Sequence, residues 1–141
     1  MVVGGAPART MRITRSLVDE IVAHARADLP NECCGMVGGG GGAARTVYRA
    51  ENAEASPLRY SIDAKEQFRL MREIEDAGEE LVAIYHSHTK SAAHPSQTDV
   101  NLAGWPEAVY LIVSLADPGA PDLKGFWIKD GRISDAELLV E

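Results

Sequence analysis

Apolar and polar residues alternate along this chain with two periodicities, one typical of strands and the other typical of helices. Short apolar or alternating runs bounded by glycine, proline and polar residues predict strands. The run at 109–115 is almost entirely apolar and is expected to form a central strand of a sheet. The predicted strands cover residues 11–15, 34–38, 46–50, 58–62, 81–86, 109–115, 124–129 and 132–140.

Apolar residues that recur every three or four positions predict helices. The predicted helices cover residues 16–28, 64–77 and 96–104. Ser16 is the expected N-cap of the first helix, which also carries His24 among arginine and alanine neighbours, at an expected surface position. In the second helix, Phe68, Met71 and Ile74 form an apolar stripe that we expect to pack against the core.

Length and composition indicate an ordinary globular protein. The chain has 141 residues, which suits one domain, with 45% hydrophobic and 25% charged residues. Residues 1–10 are mostly small and rich in glycine and alanine. We therefore expect a flexible N-terminal tail at 1–10, followed by one domain at 11–141.

Charge and hydropathy argue against several classes of partner. The net charge is −7 and no basic cluster is present, so nucleic acid and anionic membranes are poor partners on electrostatic grounds. No apolar stretch reaches the roughly 20 residues that a membrane helix needs. Residues 1–10 lack the basic start and long apolar core of a secretory signal. These features favour a cytoplasmic protein.

The cysteines and the glycine run have ordinary structural interpretations. Cys33 and Cys34 are neighbours, and a disulfide between adjacent residues is strained, so reduced thiols are expected. Either could be a nucleophile beside a histidine, but a small buried residue opening a strand is the more frequent role. The glycines at 38–42 predict a flexible, exposed hairpin connection, because the Lys-Ser/Thr pair of a phosphate loop is absent.

The most specific chemistry follows the predicted strand at 81–86. His86 and His88 are two residues apart, so on an extended backbone they share one face, roughly 6.6–6.8 Å apart along the strand. Two imidazoles so placed can converge on one metal ion, and Asp99 follows after ten intervening residues as a third candidate ligand. Two histidines and a carboxylate with one position left open are typical of a catalytic zinc site.

Ser96 and His94 lie between the histidines and the aspartate. Ser96 and Asp99 have the spacing of a helix capping box, and the Ser96 hydroxyl could also stabilise an oxyanion beside the metal. Both roles can coexist, because a cap fixes the loop that positions the hydroxyl. His94 is a weaker ligand candidate than Asp99, since polar loop residues usually face water.

Glu32 lies just before the predicted strand at 34–38. A carboxylate at the mouth of a core strand is costly to bury without a partner. One interpretation is a solvated glutamate in a turn, and the other is a general base that acts beside the metal. Farther along, Asn52 and Ser56 are candidate contacts for the backbone of a bound peptide.

Two separated motifs resemble the JAMM metalloproteases, the catalytic branch of the MPN/JAB domain. The first is His86-Ser-His88, seven intervening residues, Ser96, two more residues and Asp99. The second is the upstream segment Pro-Asn-Glu-Cys-Cys-Gly at 30–35, which contains Glu32. Thr89 replaces the proline that much of the family has after the second histidine, but it fits the bacterial Mec-type peptidases within this family.

The resemblance spans residues 11 to about 139 and implies a fold and an activity. The implied fold is an α/β (α+β) cytidine-deaminase-like MPN/JAMM domain, with a mixed, curved β-sheet flanked by helices. The implied activity is a zinc peptidase in which His86, His88 and Asp99 hold Zn²⁺, Glu32 is the general base and Ser96 assists the oxyanion. Mec-type enzymes release cysteine from the Gly-Gly end of a ubiquitin-like sulfur-carrier protein during cysteine biosynthesis, and a homodimer is compatible with that role.

Alternatives remain open at this level. The same chemistry could mature a carrier by removing extra C-terminal residues, or act as a deubiquitinase-like isopeptidase on another protein. A non-catalytic MPN scaffold is a different class, although such modules usually lack a complete metal set. An amidohydrolase also begins with His-x-His, but its (β/α)₈ barrel typically needs about 250 residues, more than the 141 present.

Overall fold

The computed structural model describes residues 10–141, so nine residues of the predicted N-terminal tail lie outside the described part. Thr10, also assigned to that tail, is instead the first residue of a strand. In chain order the elements are β1 (Thr10–Ile13), α1 (Arg15–Ala27), β2 (Cys34–Gly40), β3 (Ala43–Ala50), α2 (Ala64–Asp76), β4 (Glu80–His88), α3 (Gln97–Leu102), β5 (Val109–Ser114), β6 (Asp122–Lys129) and β7 (Arg132–Val140).

The strands form one mixed sheet that curves until its edges meet. Their order is β1-β3-β2-β4-β5-β6-β7, and β1 also pairs with β7, which closes the sheet. The pairs β4–β5 and β1–β7 are parallel, whereas β2 is antiparallel to both of its neighbours. The prediction of a mixed, curved sheet with flanking helices is confirmed.

The two long helices pack on opposite faces of this sheet. Helix α1 contributes Val18, Ile21 and Ala25 to a core cluster that also contains Cys33. Helix α2 contributes Leu70 and Ile74 to a separate cluster built around Cys34, Met36 and Ala50. Consecutive residues of an extended chain point to opposite faces of a sheet. Cys33 therefore packs on the side of α1, and Cys34 packs on the side of α2.

The apolar stripe of α2 differs from the predicted one. Ile74 is buried as expected, but its buried partner is Leu70, one turn earlier. Phe68 is 64% exposed, with the guanidinium of Arg72 5.9 Å from the centre of its ring. Residues 68 and 70 are about 200° apart around a helix, so a face centred on Leu70 and Ile74 turns Phe68 to solvent.

The predicted strand at 58–62 is absent, because residues 51–63 form an irregular segment. The side chain of Asn52 organises it, donating to the Arg59 carbonyl and accepting from the backbone N–H groups of Glu54 and Ser61. Backbone groups that a neighbouring strand would have satisfied are therefore bonded to a side chain. The alternating apolar residues Tyr60 and Ile62 still pack against the cluster beneath α2.

Two other boundaries differ from expectation. The glycine run does not form one exposed loop: β2 continues to Gly40, and only Gly41 and Gly42 make the turn, with φ of 61° and 77°. Positive φ at both positions is what a two-residue hairpin turn requires. The N-cap of α1 is Thr14 rather than Ser16, since the Thr14 hydroxyl accepts from the backbone of Leu17. Within residues 10–141, no helix has the length and apolar character needed to cross a membrane.

Candidate metal centre

Strand register brings the upstream and downstream motifs together. In the antiparallel β2–β4 pair, Cys34 lies opposite His86. The contact extends beyond β2, because the backbone N–H of Cys33 donates to Ser87 Oγ at 2.8 Å and that of Ser87 donates to the Cys33 carbonyl at 3.1 Å. Continuing this register places Glu32 beside His88. Residues more than fifty positions apart thus meet at one end of the sheet.

Three candidate ligand atoms converge at this end of β4. His86 Nε2 and His88 Nε2 lie 3.3 Å apart, and each lies 3.1 Å from Asp99 Oδ2. Atoms at the corners of a tetrahedron with bonds of about 2.0–2.1 Å are separated by about 3.3–3.4 Å. The spacing and the nitrogen–nitrogen–oxygen donor set therefore fit a single divalent ion, and these three residues could hold one.

Neighbouring groups orient the two imidazoles. His88 Nδ1 lies 2.8 Å from the Ala92 carbonyl, which can only accept, so Nδ1 carries a proton and the neutral form of the ring presents the Nε2 lone pair. The ring of His86 is stacked on that of Tyr60, with centroids 4.5 Å apart. None of the motifs in the sequence predicted this contact.

Electrostatics differ between the three groups. Burial lowers the pKa of His86, which favours the neutral imidazole that metal binding requires. Burial acts in the same direction on His88, but hydrogen bonds to Asp99 and the Ala92 carbonyl outweigh it and raise the pKa. Burial alone would raise the pKa of Asp99, yet its hydrogen bonds with both histidines hold that pKa well below its usual range. The aspartate is therefore a carboxylate near neutral pH.

Ser96 is the N-cap of α3, as predicted. Its Oγ accepts from the backbone N–H of Asp99 at 3.0 Å, and Asp99 Oδ2 accepts from the backbone N–H of Ser96 at 2.9 Å, which completes a capping box. The cap therefore fixes the aspartate next to the histidines. Because Ser96 Oγ acts as the acceptor in this bond, its own proton is left for a second partner.

Glu32 lies at the edge of a cavity of about 640 Å³ that is also lined by His88 and Ser96. Its side chain is 4% exposed, and Oε1 is buried without a hydrogen-bonding partner in the part of the chain that the structure describes. Burial raises its pKa to about 7, with opposing influence from His88 and reinforcing influence from Asp99. The sequence alternative of a solvated turn glutamate is thus wrong, because the side chain is buried.

Asn52 and Ser56 bind their own chain rather than an incoming peptide, contrary to the prediction for them. Asn52 Nδ2 donates to the Glu32 carbonyl at 3.0 Å, and the backbone N–H of Glu32 donates to the Ser56 carbonyl at 2.9 Å. The Ser56 hydroxyl accepts from the backbone of Leu58. Both residues therefore hold the backbone of Glu32 in place, a positioning role that the sequence pattern did not reveal.

The remaining candidates lie outside this cluster. His94 is exposed, and its ring contacts the edge of Phe126 with centroids 5.5 Å apart. Cys33 and Cys34 are free and buried, and burial raises the pKa of Cys33 to about 12 and that of Cys34 still further. Thiols held so firmly in the neutral form are poor nucleophiles, which agrees with their predicted packing role.

His24 is buried rather than exposed, and the sequence prediction for it is wrong. It is 4% exposed, its Nδ1 lies 2.7 Å from the Tyr85 hydroxyl, and its Nε2 lies 3.4 Å from Asp28 Oδ2. Since a carboxylate only accepts, Nε2 carries the proton and Nδ1 accepts from the tyrosine. The pair ties the end of α1 to the strand that carries His86. Arginine and alanine neighbours gave no signal of this, because the partner is 61 residues away.

The position of Tyr85 leaves no room for a side chain at residue 35, which is a glycine. A Cβ atom at Gly35 would overlap the ring and hydroxyl of Tyr85, which crosses directly over this glycine. We expect Gly35→Ala to lower the free energy of unfolding by about 1–3 kcal/mol, as other overpacking changes do. Gly104→Ala is the matched control, because nothing lies within 4 Å of a Cβ there. Equal stability of the two variants in denaturant titrations would show that the Tyr85 contact is unimportant.

Comparison with known proteins agrees with this geometry. The chain is 45% identical over 130 residues to the CysO-cysteine peptidase of Mycobacterium tuberculosis, covering 91% of this chain and 89% of that protein. It is 42% identical over 104 residues to a desampylase of Haloferax volcanii, covering 68% and 74%. It is 31% identical over 130 residues to a probable TtuB-protein conjugate cleaving protease of Thermus thermophilus, covering 92% and 83%.

Solved structures and a family profile match most of the chain. A solution structure of a Desulfitobacterium hafniense protein matches with a TM-score of 0.86 and 35% identity, covering 94% of this chain and 93% of that one. A JAB1/MPN domain protein from Archaeoglobus fulgidus shares the fold, with a TM-score of 0.59, 19% identity, and coverage of 92% and 98%. The family profile described as prokaryotic homologs of the JAB domain matches residues 14–129. The chain therefore belongs to the prokaryotic homologs of the JAB domain.

Proposed function

We propose that this protein is a zinc-dependent peptidase that hydrolyses the amide bond between the Gly-Gly end of a ubiquitin-like sulfur-carrier protein and a terminal cysteine. The observation that carries the proposal is the convergence of His86, His88 and Asp99 beside a cavity. His88, Glu32 and Ser96 line that cavity. A site of this composition has candidate metal ligands, a base and a hydroxyl donor within one concave surface.

His86, His88 and Asp99 would hold the zinc ion through two imidazole nitrogens and one carboxylate oxygen. When bound, zinc supplies Lewis acidity, which polarises the substrate carbonyl and lowers the pKa of an attacking water. The chain keeps both imidazoles oriented through Ala92 and Tyr60. It also keeps Asp99 charged, so the donor set stays ready to bind a cation.

Glu32 is the proposed general base. Its buried carboxylate faces the cavity with no competing partner among residues 10–141, and its pKa of about 7 suits a group that must both take and return a proton. It would take the proton of the attacking water and then deliver a proton to the leaving nitrogen. Asn52 and Ser56 would keep the carboxylate in position by holding its backbone.

Ser96 is the proposed donor to the developing oxyanion, in addition to its role as N-cap. We expect Ser96→Ala to lower kcat by about 10²–10³, the usual loss for one oxyanion donor. The lost cap should separately lower the free energy of unfolding by about 1 kcal/mol. Thr98→Ala, which removes an exposed hydroxyl from the same helix, should leave kcat unchanged. A Ser96→Ala enzyme with wild-type kcat and reduced stability would leave Ser96 as a cap only.

Support for the substrate comes from the relatives. The 45% identical protein is named for a CysO-cysteine substrate. The 42% identical protein is named a desampylase, and the 31% identical protein is named for cleaving a protein conjugate. The first name refers to a cysteine adduct, whereas the last refers to a protein conjugate. Cleavage of an isopeptide bond in a protein conjugate is therefore a second candidate function.

A cleavage assay separates the candidates. Zinc-loaded protein would be incubated with one carrier in three forms: ending in Gly-Gly-Cys, ending in a longer extension, and joined through Gly-Gly to a lysine side chain of a second protein. We expect chelator-sensitive cleavage, fastest for the cysteine form, with products identified by mass spectrometry. Preference for the lysine-linked form would favour the isopeptidase, and cleavage of none of the three would favour a non-catalytic scaffold.

A further inference from the structure

We propose that Lys90 is the binding site for the free α-carboxylate of the released amino acid, and that it makes the enzyme selective for a terminal residue over an isopeptide-linked lysine. This inference rests on the proposed function, because it concerns the leaving group of that reaction. Lys90 lines the same 640 Å³ cavity as Glu32, His88 and Ser96.

The lining of the cavity provides one suitable cation. Leu29, Pro30, Pro57 and Leu58 form its apolar wall, and Leu58 is 82% exposed. The loop after β4 forms another wall, and Lys90 is the one lysine or arginine among the described lining residues of the cavity. Lys90 takes part in none of the ion pairs formed within residues 10–141, although the whole chain carries a net charge of −7.

The backbone around Lys90 is fixed while its side chain is exposed. Thr89 Oγ1 donates to the Pro57 carbonyl at 3.3 Å, which joins the two walls of the cavity. Ser114 Oγ donates to the Ser91 carbonyl at 2.7 Å, and the Ala92 carbonyl accepts from His88. Because consecutive Cα atoms are about 3.8 Å apart, the Lys90 Cα lies within about 7.6 Å of the His88 Cα. The backbone that carries the Lys90 side chain is thus held close to His88.

The chemistry of the leaving group favours a cation at this position. The carboxyl carbon of a terminal amino acid lies about 2.5 Å from its own amide nitrogen, so it must enter the cavity with the scissile bond. There it approaches the Glu32 carboxyl group, which repels it when ionised, whereas the charge of Asp99 is offset by the cation that it would bind. A lysine ammonium offsets this repulsion as a point charge. A lysine-linked conjugate brings no carboxylate to this position and would gain nothing from Lys90.

The test compares two substrates with three enzymes. The substrates are a carrier ending in Gly-Gly-Cys with a free carboxylate and the same carrier ending in Gly-Gly-Cys-amide. The enzymes are zinc-loaded wild type, Lys90→Met and the control Lys129→Met, which removes an equal charge from an exposed position on β6 outside this cavity. We expect wild type and Lys129→Met to prefer the free acid by about tenfold in kcat/KM, mainly through KM. Lys90→Met should lose this preference and cleave the amide at the wild-type rate.

Two outcomes would overturn the inference while leaving the proposed function intact. One is equal cleavage of acid and amide by the wild-type enzyme. The other is a Lys90→Met enzyme that loses the same factor with both substrates, which would assign Lys90 to recognition of the carrier's body. Cleavage of neither substrate by wild type would instead reject the proposed function, and the carboxylate site with it.

Discussion

Replacing Glu32 with glutamine should leave the metal in place and reduce kcat by about 10²–10⁴, the range that general acid–base catalysis contributes. Glutamine has the same shape as glutamic acid but cannot take a proton from water. Glu32 is not one of the three groups that converge as candidate ligands, so the metal content should stay at the wild-type level. The variant also places no new charge in the buried position, so its stability should change little.

The measurement pairs steady-state kinetics with metal analysis on the same preparations. Glu75→Gln is the control, because Glu75 is exposed on α2 and is not among the residues that line the cavity. It should match wild type in both measurements. A Glu32→Gln enzyme that retains full turnover would refute the assignment of Glu32 as the base. Loss of metal together with turnover would refute its separation from the ligand set.

Asp99→Ala should abolish both metal binding and turnover. The change removes the one carboxylate oxygen that lies 3.1 Å from both imidazole nitrogens. Losing a residue that merely orients a ligand weakens metal binding by about 10–100-fold, and losing a ligand itself should exceed that range. Zinc affinity is measured by competition with a chromogenic chelator, and turnover is measured with the carrier ending in Gly-Gly-Cys.

Asp99 also caps α3, so ligand loss must be separated from helix loss. Asp99→Asn retains an oxygen that can accept from the backbone N–H of Ser96, but it lacks the negative charge. Ser96→Ala removes the other half of the capping box and leaves all three candidate ligands. We expect weakened zinc binding in Asp99→Asn and near-normal binding in Ser96→Ala. The reverse order would mean that α3 itself, rather than the carboxylate, holds the site together.

The parts of this protein that follow local rules could be predicted from the sequence. Strand alternation placed His86 and His88 on one face, and the capping-box spacing placed Ser96 at the start of α3, with Asp99 held beside them. The proposed role of Glu32 rests on the family resemblance, because its approach to His88 depends on the register between β2 and β4. No local pattern in either segment specifies that register.

In three of the errors, contacts that the local pattern does not show override that pattern. His24 is buried where Tyr85 crosses over Gly35 to reach it, and Tyr85 is 61 residues away in the chain. Residues 58–62 alternate as a strand does, yet Asn52 captures the backbone of that segment. Phe68 has the character of a core residue, but the face of α2 that meets the sheet is set by Leu70 and Ile74.

The identity of the metal ligands can be measured in a crystal structure of the zinc-loaded protein, with anomalous diffraction recorded on both sides of the zinc absorption edge. We expect one zinc ion per chain, bound by His86 Nε2, His88 Nε2 and Asp99 Oδ2, with a fourth position open to solvent beside Glu32. Zinc bound through Cys33, Cys34 or His94, or a fourth position closed by another side chain, would contradict the proposed peptidase.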